Sequence, residues 1–504
     1  MKRFQIIVVF SLGLLACLLV IRIPSPAAGG LTDTGQVKCY NNSGTMTCPD
    51  RGRRFFGQDA NYTSTPMAYR DNGDGTVTDL VTGLMWSQAV NAEKSSLVQA
   101  EKTAESMTLG GYSDWRVPNI KELYSLINFS GNTGIAGTGA VPYINTDYFN
   151  FKYGNTRSGE RYIDAQWLSS TRYVSYTMNR NPTLFGVNFA DGRIKGYGYG
   201  NMGPKGEKKF YVRFVRGNPY GENLFRDNGD RTVTDQATGL TWMQADSGRA
   251  MTWEEALAYA ETGTYAGYSD WRLPDAKELQ YIVDYTRSPD TTGSAAIDPV
   301  FSATPVTNEA GRKDFAHYWT STSHLDGRRP GDSAVTVCFG RAMGQMRGRI
   351  MDVHGAGAQR SDPKTGTDSI GRGPQGDARR SKNMVRLVRG GNVRMTVQPA
   401  YADRDKYPFV VKVDQGYEAA VSGSQGFKNQ GGTPNRLGPP SSGSGQSMGR
   451  PGFVSRLDRD GDNRVSRSEF DGPSHHFSRL DRNNDGYLSE DEAPKGPPPG
   501  GRQP

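Results

Sequence analysis

Residues 71–86 read DNGDGTVTDLVTGLMW, and residues 227–242 read DNGDRTVTDQATGLTW. Residues 111–123 read GYSDWRVPNIKEL, answered by GYSDWRLPDAKEL at 267–279. Both matches lie at an offset of 156 positions (227 against 71, 267 against 111), which makes the chain a duplication. Further on, WLSST at 167–171 answers WTSTS at 319–323, and FYVRFVRG at 210–217 answers NMVRLVRG at 383–390, with an insertion expected around residues 350–381. Tryptophans then pair as Trp86/Trp242, Trp115/Trp271 and Trp167/Trp319. The repeats are placed at 71–217 and 227–390.

The local chemistry of each copy is legible. Asn-Gly and Asp-Gly signals before Thr-Val-Thr predict a hairpin. Asn119 is the expected helix N-cap, with Glu122 completing a capping box, and Leu123, Leu126 and Ile127 forming one apolar stripe. Asp275, Glu278, Leu279 and Ile282 repeat this, and a further helix is expected from Thr252 with Glu255 as its partner. The VRFVR and VRLVR segments are read as buried strands. Each copy is therefore an α+β unit of two helices and many short strands.

A length of 504 residues exceeds one ordinary core, and 63 Gly with 28 Pro and 35% hydrophobic residues favour loop-rich β structure plus a disordered portion. The net charge of +8 permits an acidic partner such as an anionic polysaccharide, a membrane surface or nucleic acid, but reads first as ordinary solubility charge. Lys and Arg are scattered without a run of five, which counts against nucleic acid. Lys2 and Arg3 precede an apolar run from Phe4 to Ile21, then Pro24, Pro26, Ala27, Ala28 and Gly29. This is an export signal, placed at 1–28. It reads as cleaved near Ala27 or Ala28, as an uncleaved anchor, or as a lipoprotein signal at Leu14-Leu15-Ala16-Cys17, and the membrane is touched only through it. Periplasm, cell surface or medium is the expected location. In the segment 29–70, Cys39 and Cys48 can close a small disulfide loop, and Cys338 has no obvious partner.

A Gly/Ser/Pro-rich flexible linker is read at 392–451, an EF-hand pair at 452–494 and a disordered end at 495–504. Asp458, Asp460, Asp462, Arg464, Ser466 and Glu469 fall at positions 1, 3, 5, 7, 9 and 12 of a calcium loop. Asp481, Asn483, Asp485, Tyr487, Ser489 and Glu492 do so again. Ca²⁺ takes six to eight hard oxygens, which carboxylates, one backbone carbonyl and a bidentate Glu supply at that spacing. Gly486 suits the sharp turn at position 6, and Asn463 is the next most tolerant residue. Val465 and Leu488 at position 8 are expected to pair the loops, with Phe453, Leu457, Phe470, Phe477 and Leu480 as apolar helix faces. Gly472-Pro473 and Pro494 shorten the helices, which favours a compact structural site.

GLMW, GYSDWRVPNIKEL, the W-x-S-S motif and the closing VRFVRG resemble the Lcl C-terminal domain family (Legionella collagen-like protein, C-terminal). The resemblance covers roughly 71–217 and 227–390. It implies a fold like that of C-type lectins and formylglycine-generating enzymes, on exported surface-associated proteins that bind glycans or sulfated polymers. The chain departs from those neighbours. The lectin tripeptides Glu-Pro-Asn, Gln-Pro-Asp and Trp-Asn-Asp are missing from both copies, as is the cysteine pair of formylglycine-generating enzymes. Phe214 and Leu387 stand where relatives carry a cysteine in the final strand, which leaves Cys338 without that partner.

The DNGDG turn places glycine, not ligands, at the calcium-loop positions. Asp114 with Arg116, and Asp270 with Arg272, are read as buried ion pairs that position a loop. His475 and His476 have no zinc-spaced partners, and His317, His324 and His354 are too scattered for a catalytic base. The expectation is a non-catalytic, calcium-binding, lectin-like adhesion protein. The alternatives are a formylglycine-generating-enzyme-like enzyme and a purely structural envelope component.

Overall fold

The Asn-Gly turns fold as read, and each opens a small sheet. In the first repeat β1 (Tyr69–Asp71), β2 (Thr76–Asp79) and β3 (Met85–Ser87) form an antiparallel ladder. Helices α1 (Leu97–Ser106) and α2 (Ile120–Ser125) follow, then β4 (Gln166–Thr177), β5 (Asn181–Asn188) and β6 (Arg193–Gly198). The chain returns through β7 (Val215–Arg216), which pairs with β3. These positions come from a computed structural model that describes residues 30–395 except 136, 179 and 202–205. In the tail it describes Val454, 464–466, Phe470, Phe477, 480–482 and 487–489. The export signal, most of the linker, His475 and His476 lie outside the described residues.

The second repeat repeats the order with β8 (Phe225–Asp227), β9 (Thr232–Asp235), β10 (Leu240–Met243), α3 (Trp253–Thr262) and α4 (Ala276–Tyr281). Then come β11 (His317–His324), β12 (Ser333–Cys338), β13 (Met343–Met346), β14 (Arg349–Asp352) and β15 (Gln359–Pro363). The repeat ends with β16 (Ser369–Arg372), β17 (Asp377–Arg379) and β18 (Val388–Gly390), the last pairing with β10. All three predicted capping boxes form, at Asn119, Thr252 and Asp275, and α1 has one at Ser96 that the sequence reading did not single out.

The repeats are not separate beads. Their three-stranded units join edge to edge into one six-stranded sheet, ordered β11-β12-β15-β6-β5-β4. The join is antiparallel, with Gln359 opposite Ile194. Ile194 pairs with Val187 and Gln359 with Val337 at corresponding places in the two repeats, so a pseudo-two-fold axis passes through the join. Helices α2 and α4 lie against each other near it. A single core runs through both halves, taking Trp86, Tyr143 and Phe185 from one and Trp242, Tyr281 and Val337 from the other. Two smaller clusters lie under α1 and α3.

Three sequence readings need correction. Trp167 and Trp319 are not counterparts. Trp167 pairs with Val187 and bridges Tyr211, whereas Tyr318 pairs with Val337 and bridges Met384. The tryptophan motifs are out of register by one residue, and a strand turns successive side chains to opposite faces. Trp167 therefore joins the central core while Trp319 joins the cluster under α3. The second correction concerns VRFVR and VRLVR, of which only Val215–Arg216 and Val388–Gly390 are ladder strands, although residues 212–215 and 385–388 are buried. The third concerns the insertion. It begins before residue 350, because the short β5–β6 hairpin is replaced by the segment 339–358 carrying β13 and β14, and 364–382 adds β16 and β17 to the same sheet.

The segment 30–63 reaches past the first repeat onto the second. Thr34 accepts from the Phe129 amide at 2.7 Å in the first repeat. The Gln36 side-chain amide then exchanges two hydrogen bonds with the Ser323 backbone, at 2.7 and 2.8 Å. The Cys39–Cys48 disulfide is formed, and Phe55 packs 6.4 Å from Trp253 of α3. Cys338 is free and buried.

Candidate functional site

The GYSDWR motif builds the same scaffold twice, though not with the partners expected. Asp114 does not pair with Arg116; it accepts from Arg216 of β7 at 2.6 Å, and Asp270 accepts from Arg389 of β18 at 2.7 Å. Each of those arginines also stacks on the motif tyrosine, Arg216 3.7 Å from the Tyr112 ring and Arg389 3.9 Å from Tyr268. Arg116 and Arg272 turn inward instead and clasp Glu122 and Glu278 in two-pronged pairs at 2.6–2.7 Å. The capping glutamates thus do double duty, and the motif ties loop, helix and closing strand together. This is a structural role. The expected Asp114–Arg116 and Asp270–Arg272 buried pairs do not form, and the side chains of the two aspartates lie about 60% exposed.

The most deeply committed cations were missed in the sequence. Arg213 and Arg386, in the middle of VRFVR and VRLVR, are fully buried. Arg213 donates to the carbonyls of Ser87, Gln88 and Asn150 at 2.5–2.7 Å and lies 5.0 Å from the Trp167 ring. Arg386 does the same to Met243, Gln244 and Ser302 at 2.6–2.8 Å and lies 5.8 Å from Tyr318. Burial alone draws the Arg213 pKa down to about 9, which leaves it charged at neutrality. The signal available was the identical V-R-x-V-R spacing with Arg at an inward position.

The three described histidines are buried and engaged separately. His317 faces Arg380 at 3.1 Å and Asp362 at 3.7 Å. His324 stacks on Tyr143 across the repeat boundary and meets the Asp191 carbonyl at 2.9 Å. His354 meets Asp377 at 3.0 Å, and burial pushes its pKa down to about 4. Among the described residues no group of three or more His, Cys, Asp or Glu is placed to hold a metal, and no helix is long and apolar enough to cross a membrane.

In the tail, Val465 pairs with Leu488 and Ser466 with Tyr487 in a two-residue antiparallel ladder, the pairing expected of position 8. Val454, Val465, Phe477 and Leu488 form a buried cluster with Phe470 and Leu480 against it. Phe470 and Phe477 meet edge to face at 5.5 Å. Of the expected ligands Arg464, Ser466, Asp481, Tyr487 and Ser489 are described, Asp481 being 5% exposed. Asp458, Asp460, Asp462, Glu469, Asn483, Asp485 and Glu492 lie outside the described residues.

The family model described as Lcl C-terminal domain matches residues 75–216 and 231–354, more than half of the chain. The chain belongs to the Lcl C-terminal domain family. The second Lcl match stops before β18, which nonetheless closes the second sheet as β7 closes the first. Strands β15, β16 and β17 lie between the end of the match and β18. No curated protein and no solved structure matches the chain.

Proposed function

We propose that this is an exported, non-catalytic binding protein. Its paired Lcl repeats, of the C-type-lectin-like or formylglycine-generating-enzyme-like kind, present loops to a glycan or anionic surface polymer. A calcium-loaded EF-hand pair orders the tail. The observation that carries the calcium reading is the Val465–Leu488 pairing, which joins two loops whose donors are spaced for a hard divalent cation. Asp458, Asp460, Asp462, Ser466 and Glu469, with the Arg464 carbonyl, would hold one ion. Asp481, Asn483, Asp485, Ser489 and Glu492, with the Tyr487 carbonyl, would hold the other. The buried, separately engaged histidines favour binding over catalysis, because a general base must reach a substrate proton.

Titration calorimetry of the full chain with CaCl₂ tests the tail. Saturable heat that is lost in Glu469→Gln/Glu492→Gln is expected, and no heat at millimolar calcium removes the assignment. A glycan and sulfated-polymer array with calcium and with chelator tests the repeats. Reproducible binding is expected, and a blank array would leave the structural reading in its place.

A further inference from the structure

The junction between the N-terminal segment and the second repeat buries more carboxyl groups than cations. Asp59 accepts from the Thr34 hydroxyl of its own segment at 2.9–3.0 Å and from the Thr322 hydroxyl of β11. Asp33 accepts from the Ser64 and Gly35 amides, and Asp275, the N-cap of α4, from the amides of Lys277 and Glu278. Asp33, Asp59 and Asp275 line one small cleft with Tyr62, Ser321 and Arg272. Two cations face the group. Arg272 is already clasped by Glu278. The Lys277 ammonium, which also feels Asp79, donates to Thr32 Oγ1 and to the Asp33 and Ser125 carbonyls, not to a carboxylate. Five acids (Asp33, Asp59, Asp79, Asp275 and Glu278) against Arg272 and Lys277 would leave a surplus of three negative charges out of water, a cost that retained protons would relieve.

We propose that the N-terminal segment is fastened to the second repeat by a proton held among Asp59, Asp33 and Asp275, so that the fastening is tight at mildly acidic pH and loosens as pH rises through neutrality. This goes beyond the binding function: it is a device that uncovers Trp253 and the outer side of α3, which Phe55 and the Arg54–Glu254 pair now cover. The direction follows from linkage. Burial and the neighbouring Asp33 raise the Asp59 pKa to about 7, and burial also raises Asp33 and Asp275. In the released segment Asp59 returns to about 3.8. The docked state therefore holds the extra proton between those values and loses its advantage as pH rises across them, by up to about tenfold in the docking equilibrium per pH unit. Lys277, lowered to about 8, opposes this at higher pH, where its loss of charge favours docking. Lys364, whose buried ammonium donates to the Tyr40 and Asn41 carbonyls of the segment and is lowered by desolvation, opposes it too, so Asp59→Asn is the variant that isolates the carboxyl contribution.

The test is amide hydrogen exchange of the full chain at pH 5 and pH 8, corrected for intrinsic rates, with α2 as internal reference. Protection of residues 30–63 relative to α2 should fall at least tenfold from pH 5 to pH 8. Asp59→Asn should largely abolish that fall. Asp275→Asn should reduce it, and repeat one already carries Asn119 at that N-cap, so this variant is compatible with the fold. Unchanged relative protection in the parent overturns the proposal, as does an undiminished fall in both variants.

Discussion

Replacing Arg213 with Met isolates what a buried cation does for this fold. The thioether keeps much of the apolar contact with Phe149 and Trp167 but removes every donor. Three carbonyls, on Ser87, Gln88 and Asn150, then lose their partner at once. An orphaned buried acceptor costs about 1–3 kcal/mol, so three set a nominal range of roughly 3–9 kcal/mol. Removing the uncompensated charge returns some of its desolvation cost, and water can reach part of the gap, which brings the expected loss to about 4 kcal/mol. For a unit of this size that is a fall in Tm of roughly 5 °C. Urea unfolding of the full chain, followed by tryptophan fluorescence, measures it. Arg213→Lys should recover no more than half, because one ammonium cannot span the Ser87–Gln88 and Asn150 sides together. If Arg213→Met matched the parent within about 0.5 kcal/mol, the carbonyl-bridging account would be wrong.

Other consequences are equally direct. Asp352, held by Tyr173 and the Gly355 amide, is raised to about 7 by burial, so it favours folding below its unfolded value near 3.8 and that contribution is lost as pH rises to 7. Asp352→Asn should flatten stability between pH 4 and 7 and gain up to about 4 kcal/mol at pH 8, read by denaturant melts across pH. Glu278→Gln strands Arg272 in a site where its side chain is 7% exposed and should cost about 3 kcal/mol. Glu122→Gln should cost less in the same melt, because Arg116 is 36% exposed and can turn to water. Gly196→Ala places a methyl carbon 2.3 Å from the His354 carbonyl and should cost about 1–3 kcal/mol, with exchange accelerating first in β6 and β15.

Much of the architecture could be read from residues alone. Hairpins at the Asn-Gly turns and helix starts at Asn119, Thr252 and Asp275 follow from short-range chemistry, which sequence records locally, and the Val465–Leu488 pairing follows from the repeated twelve-residue loop spacing. What it could not record is partnership over distance. Arg216 rather than Arg116 takes Asp114, and the segment before repeat one lies largely on repeat two, because those choices depend on where strands end up. The one-residue slip between Trp167 and Tyr318 escaped notice for a related reason: tryptophan is so distinctive that it dominates an alignment, while ladder register is set by the neighbours across the sheet.

The edge-to-edge join constrains how the two halves can change over time. Where β6 and β15 meet, Gln359 lies opposite Ile194 and its side chain accepts from the Ile194 amide, so a substitution at the join in one copy is felt by the other. Freedom is left to the connecting loops, and the larger second copy shows it, carrying a whole additional sheet while its strands at the axis keep their places. A lone half, cut from the other, would bring an unsatisfied strand edge into solvent and would need a substitute neighbour to cover it.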